Sequence, residues 1–112
     1  MLNIAAGIHY GSCPQTVLVE VAAAITRRDQ GGPQHARAAV NALRHLRMIR
    51  WVREVPEDAH NVAIRTALRG MDAVVVAHAI SVGAAVVSLD EDMVERGGRL
   101  VKTYRPSEVP SR

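Results

Sequence analysis

One stretch in the second half of the chain limits the possible folds more than any other. Residues 71–82 are apolar on nearly every side of a predicted helix, and such a helix is stable only when it is buried. Gly83 ends this helix, and residues 84–89 are predicted to form an interior strand. Polar residues such as Asp72 interrupt the apolar run, so it lacks the pattern of a membrane span. The chain therefore needs a layered fold that covers this segment on both sides.

The rest of the chain alternates between helical and extended patterns. A helix is predicted over residues 16–28, where apolar residues recur at helical spacing until the turn around Pro33 stops it. The other predicted elements are helices over 35–47, 57–69 and 90–96 and strands over 50–55 and 100–104. Nothing in residues 1–12 predicts a strand, and residues 106–112 are expected to form a loose tail. This alternation predicts an α/β fold with three layers, α/β/α, and a mostly parallel sheet.

Length and composition narrow the class of protein. A chain of 112 residues is long enough for a single domain, 1–112, and too short for two. Its one cysteine, Cys13, cannot form an internal disulfide, and no signal-peptide pattern opens the sequence, so we expect a cytoplasmic protein away from the membrane. The net charge of +3 is compatible with a polyanionic partner and equally with ordinary surface solvation.

Three acidic residues are predicted to lie at the edge of a parallel sheet where ligands bind, which is at the carboxyl ends of the strands. Glu20 lies near the start of its helix, Asp72 in the first turn of the buried helix, and Asp90 at the end of the interior strand. Strand ends and the helix starts that follow them meet at one edge of such a sheet, so these carboxylates should converge there. Converging carboxylates repel one another, and a divalent cation such as Mg²⁺ relieves the repulsion. The chemistry that suits this cluster is phosphodiester hydrolysis, because bound metal lowers the pKa of water and neutralises charge on the phosphate.

Other interpretations of these residues stay open. An acid in the first turn of a helix is often only a partner of the helix dipole. Asp72 is the strongest candidate, since a charge within an apolar helix is costly without a purpose. Asp92 is a candidate fourth ligand, yet it stands four residues before Arg96 and equally fits a surface ion pair. The histidines and Cys13 show no paired spacing for zinc, and His78 is expected to be packed rather than catalytic.

Two segments together resemble the PIN domain family. Residues 68–92, LRGMDAVVVAHAISVGAAVVSLDED, resemble the second half of PIN domains, where an Asp-Ala pair opens an apolar helix and a short strand ends in Ser/Thr-x-Asp. Residues 17–28, VLVEVAAAITRR, resemble the helix that carries the glutamate of that family. The resemblance spans residues 13–109 and is greatest to the VapC-like toxins of toxin–antitoxin pairs.

The resemblance implies a function and a set of site residues. Glu20, Asp72 and Asp90 would be catalytic metal ligands, with Asp92 a fourth, and Mg²⁺ or Mn²⁺ the cofactor. RNA would be the substrate, an antitoxin protein the partner, and a homodimer the assembly common in that family. PIN domains open with a strand that bears an aspartate, followed by a helix, whereas no aspartate precedes Glu20 here. We therefore expect a PIN-like domain that lacks this first strand and helix and is incomplete at its N-terminus.

Two functions from different classes follow from this sequence. The first is a metal-dependent ribonuclease that acts as a toxin. The second is a catalytically silent PIN-like module that binds RNA or a protein partner, because one ligand of the site is absent from the chain. A small-molecule-binding α/β domain is disfavoured, since no glycine-rich phosphate loop is present.

Overall fold

The computed structural model describes residues 2–5, 8–28 and 31–109, in which, after two initial strands, one or two helices separate each strand from the next. The elements in chain order are β1 (Leu2–Ala5), β2 (Ile8–Pro14), α1 (Thr16–Arg28), α2 (Gly32–Arg44), β3 (Ile49–Val52), α3 (Ala59–Thr66), α4 (Gly70–Val82), β4 (Val86–Val87), α5 (Glu91–Gly97), β5 (Thr103–Tyr104) and a 3₁₀ helix (Pro106–Glu108). Helices α1 and α2 pack chiefly against each other, and α4 packs against both β2 and β4. The predicted α/β class is confirmed.

The described strands form two sheets. Strand β2 pairs in parallel with β3 and antiparallel with β1, giving the order β1-β2-β3. Strands β4 and β5 form a second, parallel pair, in which Val86 stands opposite Thr103. The two pairings β2–β3 and β4–β5 are therefore parallel, as predicted, while the contact of α4 with β2 and β4 connects the two sheets.

The prediction that residues 1–12 form no strand is wrong, because β1 and most of β2 lie in this segment. The reason is tertiary pairing, which overrides weak local preference. Gly11 N–H donates to the carbonyl of Met48 at 2.8 Å, and Gln15 N–H donates to that of Val52 at the same distance. Partners that lie 37 residues away in sequence leave no periodic signal in the strand itself. Neither β1 nor β2 contains an acidic residue.

Several element boundaries differ from those predicted. Helix α2 begins at Gly32 rather than residue 35, because Pro33 stands in its first turn, where a missing N–H costs nothing. The strands predicted over 84–89 and 100–104 shorten to β4 and β5, since only two residue pairs of this ladder align. Helices α1 and α4 match the predicted ranges closely.

The core is built around α4. Val76 has no exposed surface, and Ala73, Ala77 and Ala79 of the same helix are each at most 4% exposed. Partners from three other elements complete this cluster, namely Val62 of α3, Val86 of β4 and Met93 of α5. The small side chains let these elements approach α4 closely, which explains why the sequence needs no phenylalanine in its core. Within the described ranges, no helix is long and apolar enough to cross a membrane.

Two helix ends offer a matched test of backbone strain. Gly83 ends α4 with φ of 66°, and Ala67 ends α3 with φ of 57°, both in the left-handed region that favours glycine. Nothing lies within 4 Å of a Cβ added at Gly83, so only the backbone should respond to substitution. Gly83→Ala should lower the free energy of unfolding by about 1 kcal/mol, whereas Ala67→Gly should raise it by up to about 1 kcal/mol. Urea denaturation measures both, and changes of the same sign would contradict this account.

Candidate metal-binding edge

Asp72 owes its position to the entry into α4. Leu68 is 6% exposed and fixes the chain ahead of the helix, and Arg69 follows in extended conformation as the N-cap residue. The first turn of α4 is closed by a hydrogen bond in which Ala73 N–H donates to the carbonyl of Arg69 at 2.8 Å. Asp72 therefore lies in the first helical turn, partly buried, next to the positive end of the helix dipole.

Asp90 is held by the turn between β4 and α5. The Oγ of Ser88 accepts a hydrogen bond from Asp90 N–H at 3.0 Å, which closes the turn after the strand. Asp90 in turn caps α5, because its Oδ1 accepts from Asp92 N–H at 2.9 Å. Capping uses one carboxylate oxygen and fixes the direction of the side chain. The sequence Ser-x-Asp-x-Asp is thus a structural turn as well as a set of candidate ligands.

The structure brings Asp72, Asp90 and Asp92 within electrostatic range of one another. Burial raises the pKa of Asp72, the negative charge of Asp90 raises it further, Arg69 lowers it, and Asp92 adds a smaller rise. The carboxylates therefore repel each other across the gap between α4 and the β4–α5 turn. A cation at this edge would relieve that repulsion.

Glu20 is placed differently. It lies in the second turn of α1 with an exposed side chain, and it does not figure among the charges that shift the pKa of Asp72. Within residues 2–5, 8–28 and 31–109, no three Asp, Glu, His or Cys side chains are grouped closely enough to hold a metal ion. The role of Glu20 as a ligand stays a prediction.

Comparison with known families agrees with this arrangement. Residues 3–99 match the family described as PIN domain, and this range includes all four candidate acids. The chain belongs to the PIN domain family. Members of this family are generally nucleases and typically use divalent metals. No curated protein matches the chain significantly.

The chemistry of this PIN domain edge fits a hard divalent cation. Carboxylate oxygens are the ligands that Mg²⁺ and Mn²⁺ prefer, and Mg²⁺ usually keeps several waters while one or two carboxylates hold it. Asp72 and Asp90 are two such carboxylates, and burial, followed by the negative charge of Asp90, raises the pKa of Asp72. Where one or two carboxylates hold Mg²⁺, waters and substrate phosphates complete its coordination.

Asp92 has a structural partner. Its Oδ1 lies 3.2 Å from Nε of Arg96, one helical turn later, so the ion pair considered from the sequence is present. Arg96 also donates from Nη1 to the carbonyl of Ala67 at 3.0 Å, which ties α5 to the end of α3. The negative charge of Asp92 is therefore partly neutralised, and its role as a metal ligand stays a prediction.

His78 is packed in this PIN domain, as expected from the sequence. It is 6% exposed, and its Nε2 lies 2.7 Å from Oγ of Ser12 on β2. Burial lowers the pKa of His78, which favours the neutral imidazole. Sequence reasoning missed this contact, because a bond across 66 positions leaves no local signal. The hydrogen bond between Ser12 and His78 connects α4 to β2.

Proposed function

We propose that this PIN domain is a metal-dependent endoribonuclease that hydrolyses phosphodiester bonds in RNA. One observation carries the proposal, which is that Asp72 at the start of α4 and Asp90 at the start of α5 interact electrostatically. Burial and the charge of Asp90 together raise the pKa of Asp72, and a carboxylate perturbed in this way is a candidate for a functional site. Membership of a family of nucleases supports the reaction class.

Four residues are assigned to Mg²⁺ or Mn²⁺. Asp72 and Asp90 would hold the ion directly, with Glu20 and Asp92 completing the set. When bound, the metal would supply activation of water and neutralisation of charge on the phosphate. The protein's own part is orientation, because the cap on α5 fixes Asp90 and the first turn of α4 fixes Asp72.

Titration with manganese tests the proposal. A labelled single-stranded RNA should be cleaved when Mn²⁺ or Mg²⁺ is added and should stay intact in EDTA. Cleavage should saturate with metal concentration, because a specific site fills, and Ca²⁺ should support it poorly because that ion prefers more ligands and longer distances. Cleavage in EDTA at the same rate would contradict a metal-dependent reaction.

The alternative is a catalytically silent PIN module that binds RNA or a protein partner. It is supported by the finding that, among the described residues, no three candidate ligands gather at metal-binding distance. The same titration separates the two functions. A silent module would bind RNA with no dependence on Mn²⁺ and would leave it uncut, whereas the ribonuclease requires the metal for cleavage.

The biological setting that we propose is a toxin–antitoxin pair in the cytoplasm. PIN domains often bind RNA and antitoxin partners, and the sequence most resembles VapC-like toxins. Expression of the chain alone should then slow growth of a host cell, and an antitoxin protein should relieve that effect. A homodimer is the assembly expected from the same resemblance, and sedimentation measures it.

RNA contact is assigned to exposed arginines on α2, on β3 and next to β3, namely Arg37, Arg44, Arg47, Arg50 and Arg53. Each RNA phosphate neutralised by an arginine releases counterions, which makes binding dependent on salt. Replacing Arg37 and Arg44 with glutamate should weaken RNA binding and flatten the slope of log affinity against log salt by about 1.4, at about 0.7 per contact on single strands.

The matched control reverses two exposed arginines elsewhere, Arg65 on α3 and Arg99 after α5, with the same change of net charge. The control should leave the salt slope close to that of the unmodified protein. If the two double variants have equal salt slopes, Arg37 and Arg44 do not contact RNA and are ordinary solvated surface residues. Fluorescence anisotropy at several salt concentrations provides the measurement.

A further inference from the structure

The turn that carries Asp90 is attached at both of its ends to the end of β5. Ser88 N–H, before Asp90, donates to the carbonyl of Tyr104 at 3.0 Å. Glu91, after Asp90, binds the guanidinium of Arg105, whose Nε lies 2.8 Å from Oε1 and whose Nη2 lies 2.6 Å from Oε2. Tyr104 and Arg105 are neighbours in the chain, so adjacent residues hold both ends of the turn, and Asp90 lies between the two attachments.

Arg105 is itself held in place by Glu108. The backbone N–H of Arg105 donates to Oε1 of Glu108 at 2.8 Å, and Nη1 of Arg105 lies 3.3 Å from Oε2 of the same carboxylate. Glu108 belongs to the 3₁₀ helix that directly follows Arg105, so this support is local in sequence. We name Glu91, Arg105 and Glu108 the Arg105 clamp. A guanidinium that makes two parallel bonds to a carboxylate fixes the direction of that carboxylate as well as its distance.

The start of α5 depends on contacts from outside the helix. Helix α5 has seven residues, fewer than an isolated helix needs to be stable in water. Its middle is held by Met93, which is 4% exposed, and by Thr103, whose Oγ1 donates to the carbonyl of Val94 at 2.8 Å. Its start is held by the cap that Asp90 provides and by the Arg105 clamp, which binds the first residue of the helix.

The positive charge of Arg105 and its positioning effect have opposite consequences for a metal ion. A positive charge near a metal site repels the ion, so by charge alone the loss of Arg105 would strengthen metal binding. Loss of positioning has the reverse effect. A turn that is no longer held must be ordered when the ion binds, and the observed affinity falls with the fraction of molecules that are already ordered. The sign of the change in affinity therefore separates the two effects.

We infer that Arg105 is a positioning residue of the proposed metal site, which acts through Glu91 to fix Asp90 at the start of α5 and so raises the affinity of the site for Mn²⁺ or Mg²⁺. The inference rests on the proposed function, because it takes Asp90 as a metal ligand. Loss of a partner that orients a metal ligand typically costs 10- to 100-fold in affinity. Arg105 acts through the neighbour of a ligand, so we expect the lower end of that range, about tenfold.

Binding of Mn²⁺ to the full chain, without RNA, tests the inference. Electron paramagnetic resonance measures the free ion and gives the dissociation constant. Arg105→Gln should bind Mn²⁺ about tenfold more weakly than the unmodified protein. Arg105→Lys keeps the positive charge but cannot make the two parallel bonds, so its affinity should lie between these two. Exposed ion pairs contribute little to stability, so both variants should stay folded.

The matched control is Arg99→Gln, which removes an exposed arginine just beyond the other end of α5. It makes the same change of net charge and leaves the Arg105 clamp intact. Its affinity for Mn²⁺ should stay close to that of the unmodified protein. If Arg105→Gln fails to fold, a comparison of Arg105→Lys with Arg99→Lys gives the same decision, because both of these variants keep the net charge.

Hydrogen exchange in EDTA measures the order of the turn without any metal. Asp92 N–H donates to Oδ1 of Asp90 at 2.9 Å, and this bond should protect it from exchange. In Arg105→Gln the amide should exchange at least about tenfold faster by nuclear magnetic resonance, because the start of α5 opens more often. The amide of Val76, in the buried part of α4, should exchange at the same rate in both proteins.

Two results would overturn the inference. The first is an Arg105→Gln protein that binds Mn²⁺ as tightly as the unmodified protein or more tightly, because charge rather than positioning would then decide the affinity. The second is an unchanged exchange rate of Asp92 N–H. Failure of the proposed function gives a different result, since the unmodified protein would then bind no Mn²⁺ at all.

Discussion

Replacing Asp72 with asparagine is expected to reduce RNA cleavage by at least about 100-fold while the protein stays folded. Loss of an outer-shell partner of a metal typically costs 10- to 100-fold in affinity or activity, and loss of a direct ligand should cost no less. Asparagine keeps the size of the side chain, so the packing of the first turn of α4 should be preserved. Cleavage rates at saturating Mn²⁺ and far-ultraviolet circular dichroism measure the two effects separately.

The same substitution should also change how stability depends on pH. Because the pKa of Asp72 is raised in the folded protein, the folded state binds this proton more tightly than the unfolded state does. Ionisation of Asp72 therefore costs stability once the pH rises through the ordinary aspartate pKa of about 3.9 to the raised value. In EDTA, Asp72→Asn should be equal to or slightly more stable than the unmodified protein at neutral pH, and this advantage should disappear below about pH 4.

Two further variants make the Asp72 result interpretable. Asp90→Asn removes a second carboxylate but keeps the cap on α5, since asparagine accepts the same hydrogen bond, so it should also lose cleavage without unfolding. Asp58→Asn removes an exposed charge that makes no side-chain cap on α3, and it should cleave normally. An Asp72→Asn protein that cleaves RNA at the usual rate, or that fails to fold, would exclude the proposed role.

Local signals explain which parts of the fold were predictable. The bounds of α1 follow from apolar spacing and from the turn before Pro33, and α4 follows from its apolar surface and from Gly83. Strand pairing depends on distant residues, so β2 was missed and β4 was predicted too long. Propensity describes a segment by itself, whereas a strand exists only with its partner.

The candidate site was predictable to the extent that it depends on topology. Asp72 and Asp90 come together because a helix start and a strand end share one edge of the fold, which the sequence order already implies. The prediction for Glu20 depends on how α1 is placed against the sheet, and α1 packs chiefly against α2. Side-chain contacts such as that between Ser12 and His78 depend on packing at the scale of single atoms, which residue patterns do not record.

Replacing Thr66 with valine is expected to lower the free energy of unfolding by about 1–3 kcal/mol, because it leaves a buried N–H without a partner. Thr66 is 1% exposed, and its Oγ1 donates to the carbonyl of Val62 at 2.7 Å and accepts from Leu68 N–H at 3.2 Å. Valine has nearly the same shape, so the change isolates these two hydrogen bonds at the turn that leads to Asp72.

Thr66→Ser is the matched control for that substitution. Serine keeps the hydroxyl and both hydrogen bonds and loses one methyl group, which should cost about 1 kcal/mol. Urea denaturation of the two variants should therefore place valine below serine in stability, although valine is the more apolar side chain in a buried position. The opposite order would mean that packing of the methyl, rather than the bond to Leu68, holds the turn between α3 and α4 in place.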